Sequence, residues 1–429
     1  MAKRVRNKAN PGRVLAYELT REVRQRDAFL RELIDARRQT NTLSSEDFAF
    51  AQVLSFGVIM CSGTLDVAIN RSLENPRDIK PKVRDCLRIS AYELLFLHKP
   101  DHVVVNEGVE LVRHVAARAS GLANAVLRKM ALDAQTFPWK DADEDDEAFA
   151  RELGVPTWLA VRLIRQFGRQ NVQRMLSACL EAAPTYLRDN PFKREERFAS
   201  DLSAQFVASL VPLDEPMLEI GAGRGTKTML MESRALEELG HTVAIHALDL
   251  HEYRAHLLEE RMRANGVEDV TAHCGDARKL DEVEGLPEQF ESVFVDVPCS
   301  GTGTLRRHPE IRWRLTPEDV DELAHLQLVM LKQTAGRVAC GGTLVYATCS
   351  IFEQENQAVI EAFLASDEGK AFHVRALDGL SVPAGAVLSD GTAVDAVPAN
   401  WSVDDMGCFI SVPASNAPDG HFACVLVRE

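Results

Sequence analysis

Leu218-Glu219-Ile220-Gly221-Ala222-Gly223-Arg224-Gly225-Thr226-Lys227-Thr228 decides how the larger part of this chain folds. A short apolar run of strand length ends in a glycine-rich turn, and the turn opens a helix. Glycine lets a ligand approach the backbone closely, and a helix N-terminus favours negative charge. A P-loop needs glycine immediately before the lysine, but Thr226 stands there. A dinucleotide fingerprint would also need its third glycine at 226. The looser G-x-G-x-G turn that remains suits S-adenosylmethionine, although a purely structural glycine loop would have the same letters.

From about residue 200 onward the texture is α/β. Strand-length runs at Met217–Ile220, Val243–Leu248, Val270–His273, Val293–Val297, Thr343–Ala347, Phe409–Val412 and Phe422–Val427 alternate with amphipathic segments. Seven strands with helices between them predict a doubly wound, Rossmann-like sheet. Thr316-Pro317-Glu318-Asp319 supplies an N-cap, a first-turn proline and an acid at the third position, and Val320, Leu323, Leu326, Met330 and Leu331 form one face behind it. Asp249 closes the strand after the glycine turn, where an acid can take both ribose hydroxyls. Asp276 follows the next strand, where a carboxylate can accept from an adenine amine. Each acid alone is as well explained as a helix cap; their order along successive strands is the signal.

Two further strands end in thiols. Phe294-Val295-Asp296-Val297-Pro298-Cys299-Ser300-Gly301-Thr302-Gly303 places an acid and a cysteine at the C-terminal end of a buried strand, and Gly341-Gly342-Thr343-Leu344-Val345-Tyr346-Ala347-Thr348-Cys349-Ser350 brings a second cysteine to the same edge. Ligand sites of open α/β sheets lie there. Packing cysteines belong inside strands and helices, so this pair beside a carboxylate points to chemistry. The other seven, at 61, 86, 179, 274, 340, 408 and 424, are expected to be small buried apolar residues. None of the nine forms a C-x-x-C pair or has a histidine at zinc spacing, so no metal site is predicted.

Residues 11–137 read as helices. Leu15, Leu19 and Val23 recur every four positions, and residues 86–97 are apolar nearly all round. The net charge of −15 argues against a nucleic-acid partner until it is mapped. Residues 1–137 hold 22 Lys and Arg against 16 Asp and Glu, so the acidic excess lies wholly in the rest of the chain. Taken alone, this basic front fits a solvated helix surface better than an RNA contact. The acidic run 140–147 reads as an exposed linker, and residues 155–183 as helices bridging two domains. Apolar residues make up 46%, which excludes wholesale disorder, and no apolar run approaches the ~20 residues that span a bilayer. Basic Met1-Ala2-Lys3-Arg4-Val5-Arg6 is followed by no apolar signal core, so a cytoplasmic location without a membrane partner is expected.

The segment from Asp296 to Trp313, with Leu305-Arg306-Arg307-His308-Pro309-Glu310, resembles the RNA 5-methylcytosine methyltransferases of the Nop2/Sun type. So do Thr348-Cys349-Ser350 followed by Glu353, Glu355 and Asn356, and the terminal Asp419-Gly420-His421-Phe422-Ala423. Asp47-Phe48-Ala49-Phe50, Leu65-Asp66, Ala91-Tyr92-Glu93-Leu94-Leu95-Phe96, Val104-Val105-Asn106-Glu107 and Asn124-Ala125-Val126-Leu127-Arg128 resemble the NusB-like RNA-binding domain of the bacterial 16S ribosomal RNA enzymes. The resemblance implies an all-helical domain over 1–138, an acidic linker and helical bridge over 139–199, and a methyltransferase domain over 200–429. It implies S-adenosylmethionine as methyl donor, 16S ribosomal RNA as partner, and a chain acting as a monomer. It assigns the nucleophile to Cys349 and supporting roles to Cys299, Asp296 and Lys227. Cofactor contacts fall to Glu219, Gly221, Ala222, Gly223, Arg224, Gly225, Thr226, Lys227, Asp249, Arg254, Asp276 and Asp296.

The sequence departs from that family twice. The family's first motif usually reads D-x-C-A-A-P-G-G-K-T, whereas Glu219, Gly221, Gly223, Arg224 and Thr226 stand here in five of those places. Arg224 brings a bulky cation beside the expected cofactor. Leu187-Arg188-Asp189-Asn190 resembles the start of a small RNA-binding subdomain but runs almost directly into Asp201, so most of that subdomain is expected to be missing. Two other readings compete. A DNA cytosine-5 methyltransferase would use Cys299 as nucleophile, and a non-catalytic RNA-binding or antitermination factor would bind no methyl donor.

Overall fold

A computed structural model describes residues 9–193 and 196–429; the basic stretch 1–6 lies outside them. The chain divides into two compact units: residues 1–180 together with 305–314, and residues 181–304 together with 315–429. The expected bridge over 139–199 is therefore shared out, its helices going to the first unit and its strands to the second.

The first unit is helical: α1 (Pro11–Arg26), α2 (Leu30–Gln39), α3 (Ser45–Met60), α4 (Ser62–Ser72), α5 (Pro81–Leu95), α6 (Asp101–Ala116), α7 (Ser120–Asp133), α8 (Asp146–Glu152), α9 (Thr157–Phe167) and α10 (Arg169–Ala178). Leu15, Leu19 and Val23 of α1 are buried as their spacing requires, with α5 inside the bundle. Part of the acidic run is a helix start, because the Asp145 side chain accepts from the Ala148 N–H and caps α8. The Arg13 guanidinium is buried and meets Glu93 at 2.8 Å and Glu107 at 3.1 Å.

Residues 305–314 belong to this helical unit. Arg312 in the short α11 (Ile311–Arg314) is fully buried and donates to the carbonyls of Leu153, Gly154 and Cys179 at 3.1–3.2 Å. The Trp313 indole N–H donates to the Met60 carbonyl at 2.8 Å, and the Leu30 N–H donates to Glu310 at 2.5 Å. A Cβ on Gly63 would lie 2.1 Å from the Trp313 ring, so only glycine admits that side chain.

The second unit holds two sheets. A small antiparallel one joins β1 (Tyr186–Asp189), β2 (Arg197–Ala199) and β9 (Ala386–Leu388) in the order β2-β1-β9. Where the expected subdomain would begin, the chain forms only this small sheet, completed by a strand from far along the chain. The main sheet contains β3 (Met217–Ile220), β4 (Ile245–Asp249), β5 (Val270–Cys274), β6 (Phe290–Asp296), β7 (Val338–Thr348), β8 (Phe372–Val374), β10 (Trp401–Val403), β11 (Phe409–Ser411) and β12 (His421–Arg428). Its order is β10-β11-β12-β7-β6-β3-β4-β5, with β8 also on β12. Strands β3 to β7 pair in parallel and β12 runs antiparallel to β7. All seven expected strands are there, and the two added ones are three-residue edges.

Helices α12 (Leu202–Ser209), α13 (Thr226–Leu239), α14 (Glu252–Asn265), α15 (Pro317–Ala335) and α16 (Gln357–Leu364) belong to this unit, and apolar cores lie on both faces of its sheet. Thr316 and Asp319 cap α15 reciprocally. Five cysteines are buried, but Cys274 and Cys340 are exposed, against the packing expected of them. Among the described residues no single helix is long and apolar enough to cross a membrane.

Candidate active site

The parallel strands β3 to β7 end at one edge, and each delivers a polar group there. The turn after β3 is tied to β4 by the Gly221 and Ala222 N–H groups, both donating to the Leu248 carbonyl. Gly221 has φ +79°, and a Cβ there would lie 2.1 Å from the Asp296 carbonyl oxygen. Glycine is thus required for the turn to pass the end of β6.

Lys227, in the first turn of α13, donates to Asp296 Oδ2 at 2.5 Å. Burial works against its ammonium, but the Asp296 carboxylate, and then the Cys349 sulfur, outweigh that and hold its pKa above the ordinary value. Cys299 Sγ and Cys349 Sγ are 3.2 Å apart. The Cys349 contact and burial push the Cys299 thiol well above its usual range. Gly303 fixes the loops: its N–H donates to the Cys349 carbonyl at 2.8 Å, its carbonyl accepts from Gly420 N–H at 2.9 Å, and a Cβ there would lie 2.0 Å from the Gly420 oxygen.

Asp249 is buried and accepts from the backbone N–H groups of Gly223 at 3.0 Å and His251 at 2.9 Å. Arg254 is half-exposed, 3.8 Å from it. Glu219 lies under the turn, fully buried, and accepts from the Thr228 hydroxyl at 2.6 Å; burial raises its pKa to about 7. Thr226 accepts from Arg261, Gly225 is the N-cap residue before α13, and the Arg224 side chain is exposed. Asp276 lies at the end of β5 but is engaged by its neighbour, with the Arg278 guanidinium on its carboxylate at 2.6 Å. The structure therefore gathers Lys227, Asp296, Cys299 and Cys349 into one group, sets Asp249 against the glycine turn, and leaves Arg224 and Arg254 toward solvent.

Three residues of this edge carried no role in the sequence. Gln327 of α15 is buried and bridges the Pro298 carbonyl and Glu355. Glu355 and Asn356 are buried behind Cys349, where Asn356 takes the Thr348 hydroxyl at 2.6 Å and donates to the Ser350 carbonyl at 3.0 Å. A polar residue on the apolar side of α15 was a readable signal; which partner it meets was not.

Known proteins match both units. A 16S rRNA methyltransferase RsmB/F model fits residues 208–411, and a NusB family model fits residues 11–132. The ribosomal RNA small subunit methyltransferase B of Thermus thermophilus is 30% identical over 380 residues, covering 83% of this chain and 88% of that one. A probable methyltransferase B of Bacillus subtilis is 28% identical over 398 residues, covering 82% and 88%. Among solved structures, that of PH0851 superposes with a TM-score of 0.73 over 98% of this chain and 99% of its own at 18% identity, a likeness of fold. A helical NusB-like front, a methyltransferase sheet and these relatives together place the chain in the family of 16S ribosomal RNA methyltransferases of the RsmB/F type.

Proposed function

We propose that this RNA methyltransferase modifies carbon 5 of a cytosine in small-subunit (16S) ribosomal RNA, with Cys349 as nucleophile and S-adenosylmethionine as methyl donor. The observation that supports this chemistry most directly is the pair of sulfurs 3.2 Å apart beside the Lys227–Asp296 pair. The glycine turn fits the donor. Gly221 leaves no room for a side chain, and each Asp249 oxygen has one backbone donor and keeps lone-pair capacity for ribose hydroxyls. Backbone from Gly221 to Gly225 would hold the donor, with Asp249 at the ribose, Asp276 near the adenine, and Arg224, Thr226 and Arg254 around it. When bound, S-adenosylmethionine supplies a methyl group on a positively charged sulfur.

Carbon 5 of cytosine is too weak a nucleophile to react unaided. Addition of the Cys349 thiolate to carbon 6 makes the ring an enamine and carbon 5 nucleophilic. Asp296 hydrogen-bonds the ring at N3 and, with Lys227, holds the charge that develops. Lys227 also favours the thiolate form of a nearby sulfur. After methylation the carbon-5 proton leaves, the carbon–sulfur bond breaks, and Cys299 assists that elimination. The base must be unstacked to reach these groups, so a single-stranded or flipped nucleotide is the substrate.

Cys349→Ala should abolish methylation and leave no protein–RNA adduct. Cys299→Ala should attack, transfer methyl and stall as a covalent complex, seen as a slow band on a denaturing gel. An adduct that persists in Cys349→Ala and vanishes in Cys299→Ala would overturn this assignment.

RNA affinity is assigned to the helical unit. Arg13, Arg24, Arg37, Arg71, Arg84 and Arg88 are tied to carboxylates, whereas Arg31, Arg38, Arg118 and Lys129 are exposed. Arg31→Glu with Arg38→Glu should weaken RNA binding and flatten its salt dependence; unchanged binding would remove α2 from the RNA surface. The working form is taken to be a cytoplasmic monomer, and sedimentation of the purified chain checks the monomer.

A further inference from the structure

The glycine turn is held by an arginine that no step above uses. Gly221, Gly223 and Gly225 have φ values of +79°, +57° and +73°. Glycine adopts such values without strain, but it loses more freedom on folding than any other residue, so a turn built on three of them keeps one shape only if it is tied down. The first half is tied to β4, through the Leu248 carbonyl and the Asp249 side chain. The second half, from Arg224 to Thr226, lies against α14. A Cβ on Gly225 would be 3.1 Å from Met262 Cε and 3.2 Å from Leu258 Cγ, and both of these α14 side chains are buried.

Arg261 shares that face of α14, three residues after Leu258 and one before Met262. Its Nη1 donates to the Thr226 hydroxyl at 2.9 Å and to the Arg224 carbonyl at 3.2 Å. An Nη atom carries two N–H groups, so each has one acceptor, and one nitrogen spans Gly225. Among the described residues no carboxylate lies within ion-pair distance of Arg261, so the turn and not a counter-ion fixes where the guanidinium lies. The arginine is itself anchored: Asn265 Nδ2 donates to its carbonyl at 2.8 Å, and Asn265 Oδ1 accepts from Asn190 at 2.8 Å. A ligand that must first order its own binding loop binds more weakly by the cost of that ordering.

We propose that Arg261 is the positioning residue of the methyl-donor turn: its bridge from the Arg224 carbonyl to the Thr226 hydroxyl keeps the second half of the turn in its donor-binding shape before S-adenosylmethionine arrives. The proposal rests on the donor reading of the turn. It gives a task to one letter that departs from the family motif, because Thr226 supplies an acceptor that the motif's glycine lacks.

The test is calorimetric titration of the full chain with S-adenosylmethionine, well below the melting temperature of every variant. Arg261→Met keeps an apolar stem against the turn and removes the donors, and should raise the dissociation constant about tenfold. Thr226→Val keeps the shape and removes the hydroxyl, and should raise it about fivefold, whereas Thr226→Ser keeps the hydroxyl and should stay within about twofold of the parent. Both losses break one bridge, so the double variant Arg261→Met with Thr226→Val should lie within about twofold of Arg261→Met alone. A helix that was merely loosened would melt earlier and leave these affinities unchanged. At saturating donor, methyl transfer to small-subunit ribosomal RNA by Arg261→Met should keep kcat within about twofold, because the bridge shapes donor binding and touches no reacting group. Unchanged affinity in Arg261→Met, or losses that multiply in the double variant, overturns the proposal. If Arg261→Met fails to fold, the Thr226 pair decides, because equal affinities in Thr226→Val and Thr226→Ser refute it. Failure of the donor reading would appear separately, as a parent chain that binds no S-adenosylmethionine.

Discussion

The two halves of the sheet edge are built differently. Behind the thiols, Ser300, Thr302, Ser350, Glu355, Gln327 and Asn356 form a buried network in which a hydrogen bond reaches every one of these side chains. Around the glycine turn, by contrast, the partners are backbone N–H groups and half-exposed cations: Gly223 and His251 on Asp249, Arg254 at 3.8 Å, and Arg278 on Asp276. Buried, satisfied networks fix one geometry. Ion pairs that reach water contribute little and rearrange easily. The thiol half is therefore preorganised for chemistry, where a small displacement is expensive. The nucleotide half is free to close on a ligand that arrives and leaves. Of the letters that depart from the family motif, Arg224 and Thr226 lie on this second half, whereas Gly221 is fixed by its approach to the Asp296 carbonyl and Glu219 is buried under the turn.

The largest effect that would separate the halves is at Lys227. Lys227→Met strips the cation from Asp296 and from the Cys349 side. It should lower kcat by about 10²–10³, the usual cost of losing one preorganised charge. Affinity for S-adenosylmethionine, measured by calorimetry, should fall far less than kcat. Equal losses in both would show that the two halves act as one. A smaller effect is expected at Asp249. Asp249→Ala should weaken S-adenosylmethionine binding about tenfold, on the order of 1.4 kcal/mol, while the ratio of the iodoacetamide alkylation rates of Cys349 and Cys299 stays put. Unchanged affinity would remove Asp249 from the site, and a changed ratio would extend the network to β4.

The main sheet was legible because its strands carry apolar runs of strand length, and the glycine turn and two thiol loops mark their ends. Strands Phe372–Val374 and Trp401–Val403 were not, because three residues carry no period. Ala386–Leu388 pairs with Tyr186–Arg188 across about two hundred residues, a distance over which local pattern says nothing. The motif from Asp296 to Trp313 reads as one block, yet its two parts are buried in different cores. Cys299 to Thr304 is bonded within the sheet unit, and Leu305 to Arg314 packs within the helical one. Arg312 shows why this was hidden. An arginine reads as surface, and only the hydrogen bonds it donates to the carbonyls of Leu153, Gly154 and Cys179 make it a core residue. Hence a fragment cut at residue 200 would carry that segment without the core that buries it. The tests above keep the whole chain for this reason. Glu355 was quoted within a family motif, but its contact with Ser300 depends on a loop 55 residues earlier.

A change in stability rather than in activity probes the boundary between the halves, at Glu219 under the turn. This carboxyl is 1% exposed, and burial raises its pKa from 4.5 to about 7, with the Thr228 hydroxyl and Lys227 opposing and Asp296 adding. The folded chain thus holds this proton more tightly than the unfolded chain. Between about pH 4.5 and 7 the native state binds more protons, so stability falls as pH rises through that window and levels off above it. Glu219→Gln keeps an oxygen for the Thr228 hydroxyl and removes the titration. The variant should match its parent near pH 4.5 and gain on it as pH rises, by roughly 3 kcal/mol at pH 8, because each pH unit between 4.5 and 7 is worth about 1.4 kcal/mol. Comparing the two chains isolates this titration together with its coupling to Glu232, which burial raises to about 7 and the Glu219 charge raises further. The measurement is the difference in unfolding free energy between variant and parent at several pH values. A difference that does not grow with pH would mean that Glu219 is already ionised in the folded chain. The charge under the turn would then belong with Lys227 and Asp296, and the boundary between the halves would move to β3.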